Sequence, residues 1–228
     1  KPFDNLKVRQ ALSHAIDRDR IVKFVLEGKA FPLAGFFGPQ VFGYHPDAKW
    51  YPYDPDKAKR LLAEAGYPNG FEIDFYCPSG RYVKDREAGQ AIANQLAKVG
   101  VKANLKTPEW GIYTSAFKKG KFPMYLIGRG SVIDADTILN QYFRTGVTKR
   151  VNGYSNSNLD KVIDQEQQTF EVSKREELLW EAHRILKDDA PAIPLWNQAD
   201  IYAVRSDLEW TPRPDEKVVL DKAFYKGS

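Results

Sequence analysis

The chain has 228 residues, and its hydrophobic fraction of 43% is enough to bury the core of one large domain or two small ones. Its 34 basic and 30 acidic residues are interleaved and give a net charge of only +4, so we expect no nucleic-acid partner. No apolar run approaches the roughly 18 residues of a transmembrane helix, so we do not expect the chain to span a membrane. The only methionine, Met124, is internal, which predicts a processed or partial chain.

The first 70 residues combine helical patterns with one long irregular segment. Apolar residues at helical spacing predict a helix over residues 4–16, and Asp17 is placed to cap a second helix. Residues 29–53 are rich in glycine, proline and aromatic residues without any period, so we expect a long irregular loop of the kind that is often functional. Asp54 then predicts the cap of a third helix, which Gly66 ends.

Strand and helix patterns alternate in the next 60 residues. Strands are predicted over residues 71–77, 101–107 and 122–128, with helices over residues 86–100 and 110–120 between them. This order, with its short connections, is typical of an α/β layer with parallel strands. Ligands of such sheets bind at the carboxyl ends of the strands, where this chain has the loops CPSGRY, PEWG and GRGSVID.

The remainder of the sequence is largely helical before a charged tail. ADTILNQYF predicts a helix, and two longer helices follow, the second introduced by the capping box Ser173-x-x-Glu176. One or two strands are predicted within residues 190–205.

The segment GRGSVIDADT, residues 128–137, carries the side chains best suited to chemistry. A dinucleotide loop would need a third glycine where Ile133 stands, and the Gly-Lys-Ser/Thr of a Walker loop is absent. Capping of the following helix is a better explanation of Asp134 and Asp136 than catalysis or metal binding, because the three histidines lie in separate segments. With no nucleophile motif either, we expect no enzyme, no metal and no cofactor.

The loops after the strands have the composition of a cleft wall. Trp110 offers a broad face for stacking, although core packing explains it equally well. Arg81 and Arg129 are suited to bidentate binding of a carboxylate, and for Arg129 an ion pair with a neighbour is the alternative. Phe37 is as well suited to packing under the long loop as to contacting a ligand.

An ordered set of segments resembles a known family. PFDNLKVRQALSHAIDRDRIV, YPYDPDKAKRLLAEAGYPNGFEIDFY, ANQLAKVGVKANL, KGKFPMYLIGRG with DADTIL, and RILKDDAPAIPLW resemble the C-terminal half of extracellular solute-binding proteins of the dipeptide/oligopeptide/nickel type, family 5, which serve ABC importers. The resemblance implies an α/β fold, one lobe of a type II periplasmic-binding-protein-like fold with a mixed, mostly parallel sheet flanked by helices. Residues 1–205 would form this lobe, and residues 206–228 would cross back toward the other lobe.

The resemblance also implies where ligand contacts lie. Arg81 is near the position of an arginine that meets the ligand carboxylate in dipeptide-binding members. Ser131 stands where peptide-binding members have an aspartate for the ligand's amino group, so a ligand with another head group is as plausible as a free-amine peptide, while Asp134 and Asp136 match helix-start residues. The residues expected to bind ligand are Phe37, Arg81, Tyr82, Trp110, Arg129, Gly130, Ser131 and Asp134.

The leading hypothesis is therefore the solute-binding component of an ABC importer, acting on a small peptide or peptide-like solute. The resemblance implies a monomer in the periplasm or outside the cell, with a membrane permease as its partner. The sequence leaves two alternatives open: a carboxylate-dependent hydrolase using Asp134 and Asp136, and a protein-interaction module using the aromatic loop over residues 29–53.

Overall fold

A computed structural model describes residues 2–130, 132–146, 153–213, 215–221 and 223–226. The helices are α1 (Leu6–Ala15), α2 (Arg18–Phe24), α3 (Pro55–Glu64), α4 (Asp85–Ala97), α5 (Trp110–Lys118), α6 (Ala135–Ile138), α7 (Ser157–Gln167) and α8 (Val172–Asp189), and a π-helical turn (Leu139–Phe143) continues α6. The strands are β1 (Ala30–Pro32), β2 (Phe71–Tyr76), β3 (Val101–Lys106), β4 (Met124–Tyr125), β5 (Trp196–Gln198), β6 (Leu208–Glu209) and β7 (Phe224–Tyr225).

The central sheet is parallel, with the strand order β3-β2-β4. Phe71 lies beside Val101 at one end of the β2–β3 ladder, and Phe75 lies beside Met124. The predicted parallel α/β layer is therefore confirmed. Strand β4 is shorter than the predicted 122–128: it begins only after Pro123, which has no N–H to donate to the ladder, and it ends at Tyr125.

Two of the predicted helix starts are confirmed by their capping contacts. The Asp17 carboxylate accepts the N–H of Arg20 at the start of α2. The Asp54 carboxylate accepts the N–H of Lys57 at the start of α3, where Pro55 is the first helical residue and has no N–H to lose.

The predicted capping box at the start of α8 is wrong. Val172 is already helical and Glu171 is the extended residue before it, so Ser173 lies inside the first turn. The Ser173 hydroxyl donates to the Glu171 carboxylate at 3.0 Å and does not cap a free backbone N–H.

The long segment after α2 packs most of its aromatic side chains against the body of the protein, while Phe31 and Tyr53 are exposed. Only β1 within it is regular, and β1 pairs antiparallel with β5. Phe37 and Trp50 are buried, and the Phe36 ring lies 5.3 Å from the ring of Trp50 and 4.7 Å from that of Phe143. The segment thus contributes to the core that α6, α7 and α8 share.

The buried apolar residues form three clusters. The first lies between the sheet and helices α1 to α4. The second joins Phe37 to α6, the π-helical turn, α7 and α8. The third is a small aromatic core made by Tyr113, Phe117 and Phe122, and Trp110 packs against it from the start of α5.

A charged cluster is built into the second core. Glu166 is 0% exposed, and its Oε2 accepts from Nε of Arg175 at 2.8 Å. The other guanidinium nitrogens of Arg175 make a bidentate pair with Asp134 at 2.7 and 2.9 Å. Burial, reinforced by the neighbouring carboxylate of Asp136, raises the pKa of Glu166 from 4.5 to about 8.

We expect this buried carboxyl to make the protein less stable as pH rises. The stabilisation from a raised folded pKa is fully present below about pH 4.5 and is lost as pH rises through about 8. Relative to Glu166→Gln, the wild-type free energy of unfolding should fall by about 1 to 3 kcal/mol between pH 5 and pH 8. Urea unfolding at several pH values measures this difference. The exposed Glu177→Gln serves as control, and equal pH profiles for wild type and Glu166→Gln would refute the assignment.

Candidate functional site

Three loops meet at the carboxyl edge of the central sheet. The first loop (residues 77–84) follows β2, the second (residues 107–109) follows β3, and the third (residues 126–134) follows β4. The N–H of Ser79 donates to the carbonyl of Pro108 at 3.0 Å. Ser79 and Glu109 also form an isolated parallel β-bridge. The first and second loops therefore run side by side, as expected for parallel strands.

Arg81, Tyr82 and Trp110 form an aromatic shelf on these loops. The guanidinium carbon of Arg81 lies 5.2 Å from the ring centroid of Trp110 and 5.4 Å from that of Tyr82. The two rings meet edge to face at 6.0 Å. Arg81 is exposed. The shelf thus presents a planar cation, held against two rings, to solvent.

Tyr82 ties the shelf to the third loop. Its hydroxyl donates to the carbonyl of Gly128 at 3.1 Å and accepts the N–H of Gly128 at 2.8 Å. Burial raises the pKa of Tyr82, so the hydroxyl keeps its proton and serves both contacts at neutral pH. The first and third loops are consequently joined through one side chain.

Trp110 is supported from below by the third core. Its ring stacks on that of Tyr113 with a centroid distance of 5.7 Å and an interplanar angle of 13°. Tyr113 is fully buried, and its hydroxyl donates to the carbonyl of Leu126 at 2.6 Å. Trp110 itself is half-buried, so it combines the packing role and the accessible position that the sequence left as alternatives.

The predicted residues of the third loop lie next to this shelf. Arg129 and Gly130 are exposed and follow Gly128 directly, while Ser131 lies outside the described residues. A Cβ at position 130 would lie only 2.2 Å from Oε1 of Glu216, so the tail packs against this loop where glycine leaves room for it.

Phe37 lies in the second core, and the half-buried Asp134 is joined to that core by its ion pair with Arg175. Phe37 is 4% exposed and packs among the residues of α6 to α8. Asp134 accepts the N–H of Asp136 as the N-cap of α6 and holds Arg175 of α8, which confirms the capping interpretation for this aspartate. Their contact with a ligand stays a prediction, which these positions do not favour.

One buried acid of the site was not predicted. Asp85, at the start of α4, has a carboxylate that accepts the backbone N–H groups of Arg81 and Tyr82. Its only sequence signal was an acidic residue in the first turn of a helix, which many exposed helices share.

Among the residues that the structure describes, there is no group of three metal-ligating side chains. None of the helices in those ranges is long and apolar enough to cross a bilayer.

The fold and its loops match proteins of known kind. Residues 1–150 match the family of bacterial extracellular solute-binding proteins, family 5, in its middle region. The chain belongs to this family. It is 34% identical over 200 residues to Heme-binding protein A of Haemophilus influenzae, covering 85% of this chain and 37% of that one. It is 33% identical over 216 residues to the Dipeptide-binding protein of Escherichia coli, covering 92% of this chain and 40% of that one.

A solved structure shares the fold as well. The dipeptide-binding protein from Pseudoalteromonas sp. SM9913, in complex with Met-Leu, has a TM-score of 0.85 and 25% identity, covering 99% of this chain and 46% of that one. The similarity confirms one part of a periplasmic-binding-protein fold. The chain spans about two fifths of the length of these curated relatives.

Proposed function

We propose that this chain is one lobe of the solute-binding component of an ABC importer, and that the shelf of Arg81, Tyr82 and Trp110 receives the carboxylate of a small peptide or peptide-like solute. The observation that carries the proposal is the exposed guanidinium of Arg81, held against two aromatic rings at the carboxyl edge of the sheet. A planar guanidinium binds a carboxylate in bidentate geometry, and a stacked arginine loses little freedom when it does so. Relatives named for dipeptide binding support this class of ligand.

The proposed mechanism is closure of two lobes on the solute. Because the chain spans 37–40% of the length of the two curated relatives, the opposite wall of the cleft would come from the rest of the protein. Residues 1–205 would form this lobe, and the tail over residues 206–228 would lead back toward the other. Solute would stabilise the closed form by contacting both walls at once, and a membrane permease would recognise that form.

The family's extracellular character supports a location in the periplasm or outside the cell. In that setting the protein would act as a monomer that carries solute to the permease.

A binding role fits the carboxylates better than hydrolysis does. Asp134 is engaged by Arg175 in a bidentate pair, and one oxygen of Asp136 accepts from the side-chain amides of Asn140 and Gln167. The two acids are therefore occupied in structural contacts. We infer a protein without enzymatic activity.

The aromatic loop is also a weak candidate for docking a partner protein. Its side chains Phe37 and Trp50 are buried in the body of the lobe. Their aromatic surface is consequently covered before any partner arrives.

Calorimetry on the full-length protein tests the proposal. We expect saturable binding of Met-Leu and binding at least 10-fold weaker for the same dipeptide with an amidated carboxyl end, because a neutral amide cannot make the charge-assisted pair with Arg81. Chromatography of the recovered dipeptide should show no cleavage. Cleavage of Met-Leu without saturable binding, or equal affinity for the acid and its amide, would contradict the proposal.

A further inference from the structure

Asp85 is a buried acid whose carboxylate accepts hydrogen bonds from the backbone around the shelf. Asp85 is the first residue of α4 and is 5% exposed. Oδ2 accepts the N–H of Arg81 at 2.8 Å and that of Tyr82 at 3.1 Å, while Oδ1 accepts the N–H of Arg86 at 2.9 Å. Three backbone donors and the positive end of the helix dipole thus compensate one carboxylate in a site with little solvent.

The loop that Asp85 holds has a backbone that needs such support. Lys84, just before α4, has a φ of 56° in the left-handed region, and Gly80 has a φ of 75°. A non-glycine residue with this geometry costs about 1 kcal/mol or more and persists only where surrounding contacts enforce it. The Asp85 carboxylate is placed to enforce this backbone geometry, because it binds the N–H groups of Arg81 and Tyr82, which lie between Gly80 and Lys84.

Fixing the backbone at Arg81 and Tyr82 fixes what their side chains can reach. The Arg81 guanidinium stays over the Trp110 ring, and the Tyr82 hydroxyl meets both backbone groups of Gly128. A single buried carboxylate therefore sets the first loop directly and the third loop through Tyr82. The Asp85 side chain itself is buried and does not form part of the exposed surface of the shelf.

We propose that Asp85 is a positioning residue of the solute-binding site, which pre-organises Arg81 for the carboxylate of the solute. This inference rests on the proposed function of the shelf. Pre-organisation raises affinity because the ordering of the anchor is completed before the solute arrives. Asp85 contacts no solute itself and acts through the backbone of the first loop.

A double-mutant cycle in the full-length protein tests the route of this effect. Asp85→Ala should weaken Met-Leu binding at least 10-fold, and the same change in an Arg81→Ala background should weaken it less than 3-fold, because the anchor is already lost. Asp85→Asn keeps one acceptor oxygen and should lie between wild type and Asp85→Ala. The control is Asp54→Ala, which removes the cap of α3 away from the shelf and should leave affinity unchanged.

Hydrogen exchange on the ligand-free full-length protein tests the positioning separately from binding. In Asp85→Ala, and to a lesser degree in Asp85→Asn, the amides of Arg81 and Tyr82 should exchange at least 10-fold faster, with the middle of α4 unchanged. Unchanged exchange at these amides in both variants, or equal effects of Asp85→Ala with and without Arg81, overturns the inference. Wild-type protein that fails to bind Met-Leu, with faster loop exchange in the variants, would instead contradict the proposed function and leave the positioning of the loop supported.

Discussion

Replacing Arg81 with alanine in the full-length protein should weaken Met-Leu binding by about 10- to 100-fold, the largest effect on affinity that we expect from this lobe. The change removes a charge-assisted, bidentate contact, which contributes about 1.5 to 3 kcal/mol. Arg81→Lys should recover only part of the loss, because an ammonium keeps the charge but neither the planar fork nor the stacking on Trp110. Isothermal titration calorimetry measures both variants.

The matched control for Arg81 is Arg86, an exposed arginine in the first turn of α4. Arg86→Ala removes the same charge from the same region and should change affinity less than 2-fold. The thermal midpoints of both variants should stay near that of the wild type, since both side chains are exposed. Equal affinities for wild type and Arg81→Ala would show that the shelf does not hold the carboxylate.

Arg175→Ala should be the most destabilising single charge removal, with an expected loss of about 3 kcal/mol in the free energy of unfolding. The substitution leaves the half-buried carboxylate of Asp134 without its bidentate cation and the fully buried carboxyl of Glu166 without its hydrogen-bond donor. Removing one partner of a desolvated ion pair or hydrogen bond is costly because the other group stays unsatisfied. It also removes the contact of the guanidinium with the Phe42 ring, whose centroid lies 4.9 Å away.

Urea unfolding compares Arg175→Ala with Arg184→Ala, which removes an exposed arginine from the same helix. Arg184→Ala should change the free energy of unfolding by no more than about 0.5 kcal/mol. Folded Arg175→Ala protein should bind Met-Leu as the wild type does, because Arg175 contacts Asp134, Glu166 and Phe42 and none of the three shelf residues. Similar unfolding midpoints for the two variants would contradict the role given to the cluster.

Much of the fold was predictable because its signals are local. The caps at Asp17 and Asp54, and the alternation of strand and helix patterns from residue 71 onward, follow from residues close together in the sequence. The meeting of three loops at one edge then follows from parallel strands alone. The predicted capping box at Ser173 failed because α8 begins at Val172, which places Ser173 inside the first turn.

The residue contacts of the site were less predictable because they join distant segments. The bidentate pair of Arg175 with Asp134 spans 41 positions, so the sequence alone did not assign a partner to that carboxylate. Phe37 had two equal interpretations until its neighbours in the second core were known. Asp85 carried no motif, and its importance comes from two loop amides that only the folded chain brings to it.

A crystal structure of the full-length protein with Met-Leu would show where the solute carboxylate binds. We expect the solute carboxylate within hydrogen-bonding distance of the Arg81 guanidinium, with Trp110 and Tyr82 beside it and a second lobe closed over the solute. A solute bound elsewhere, with Arg81 and Trp110 still facing solvent in the closed protein, would contradict it.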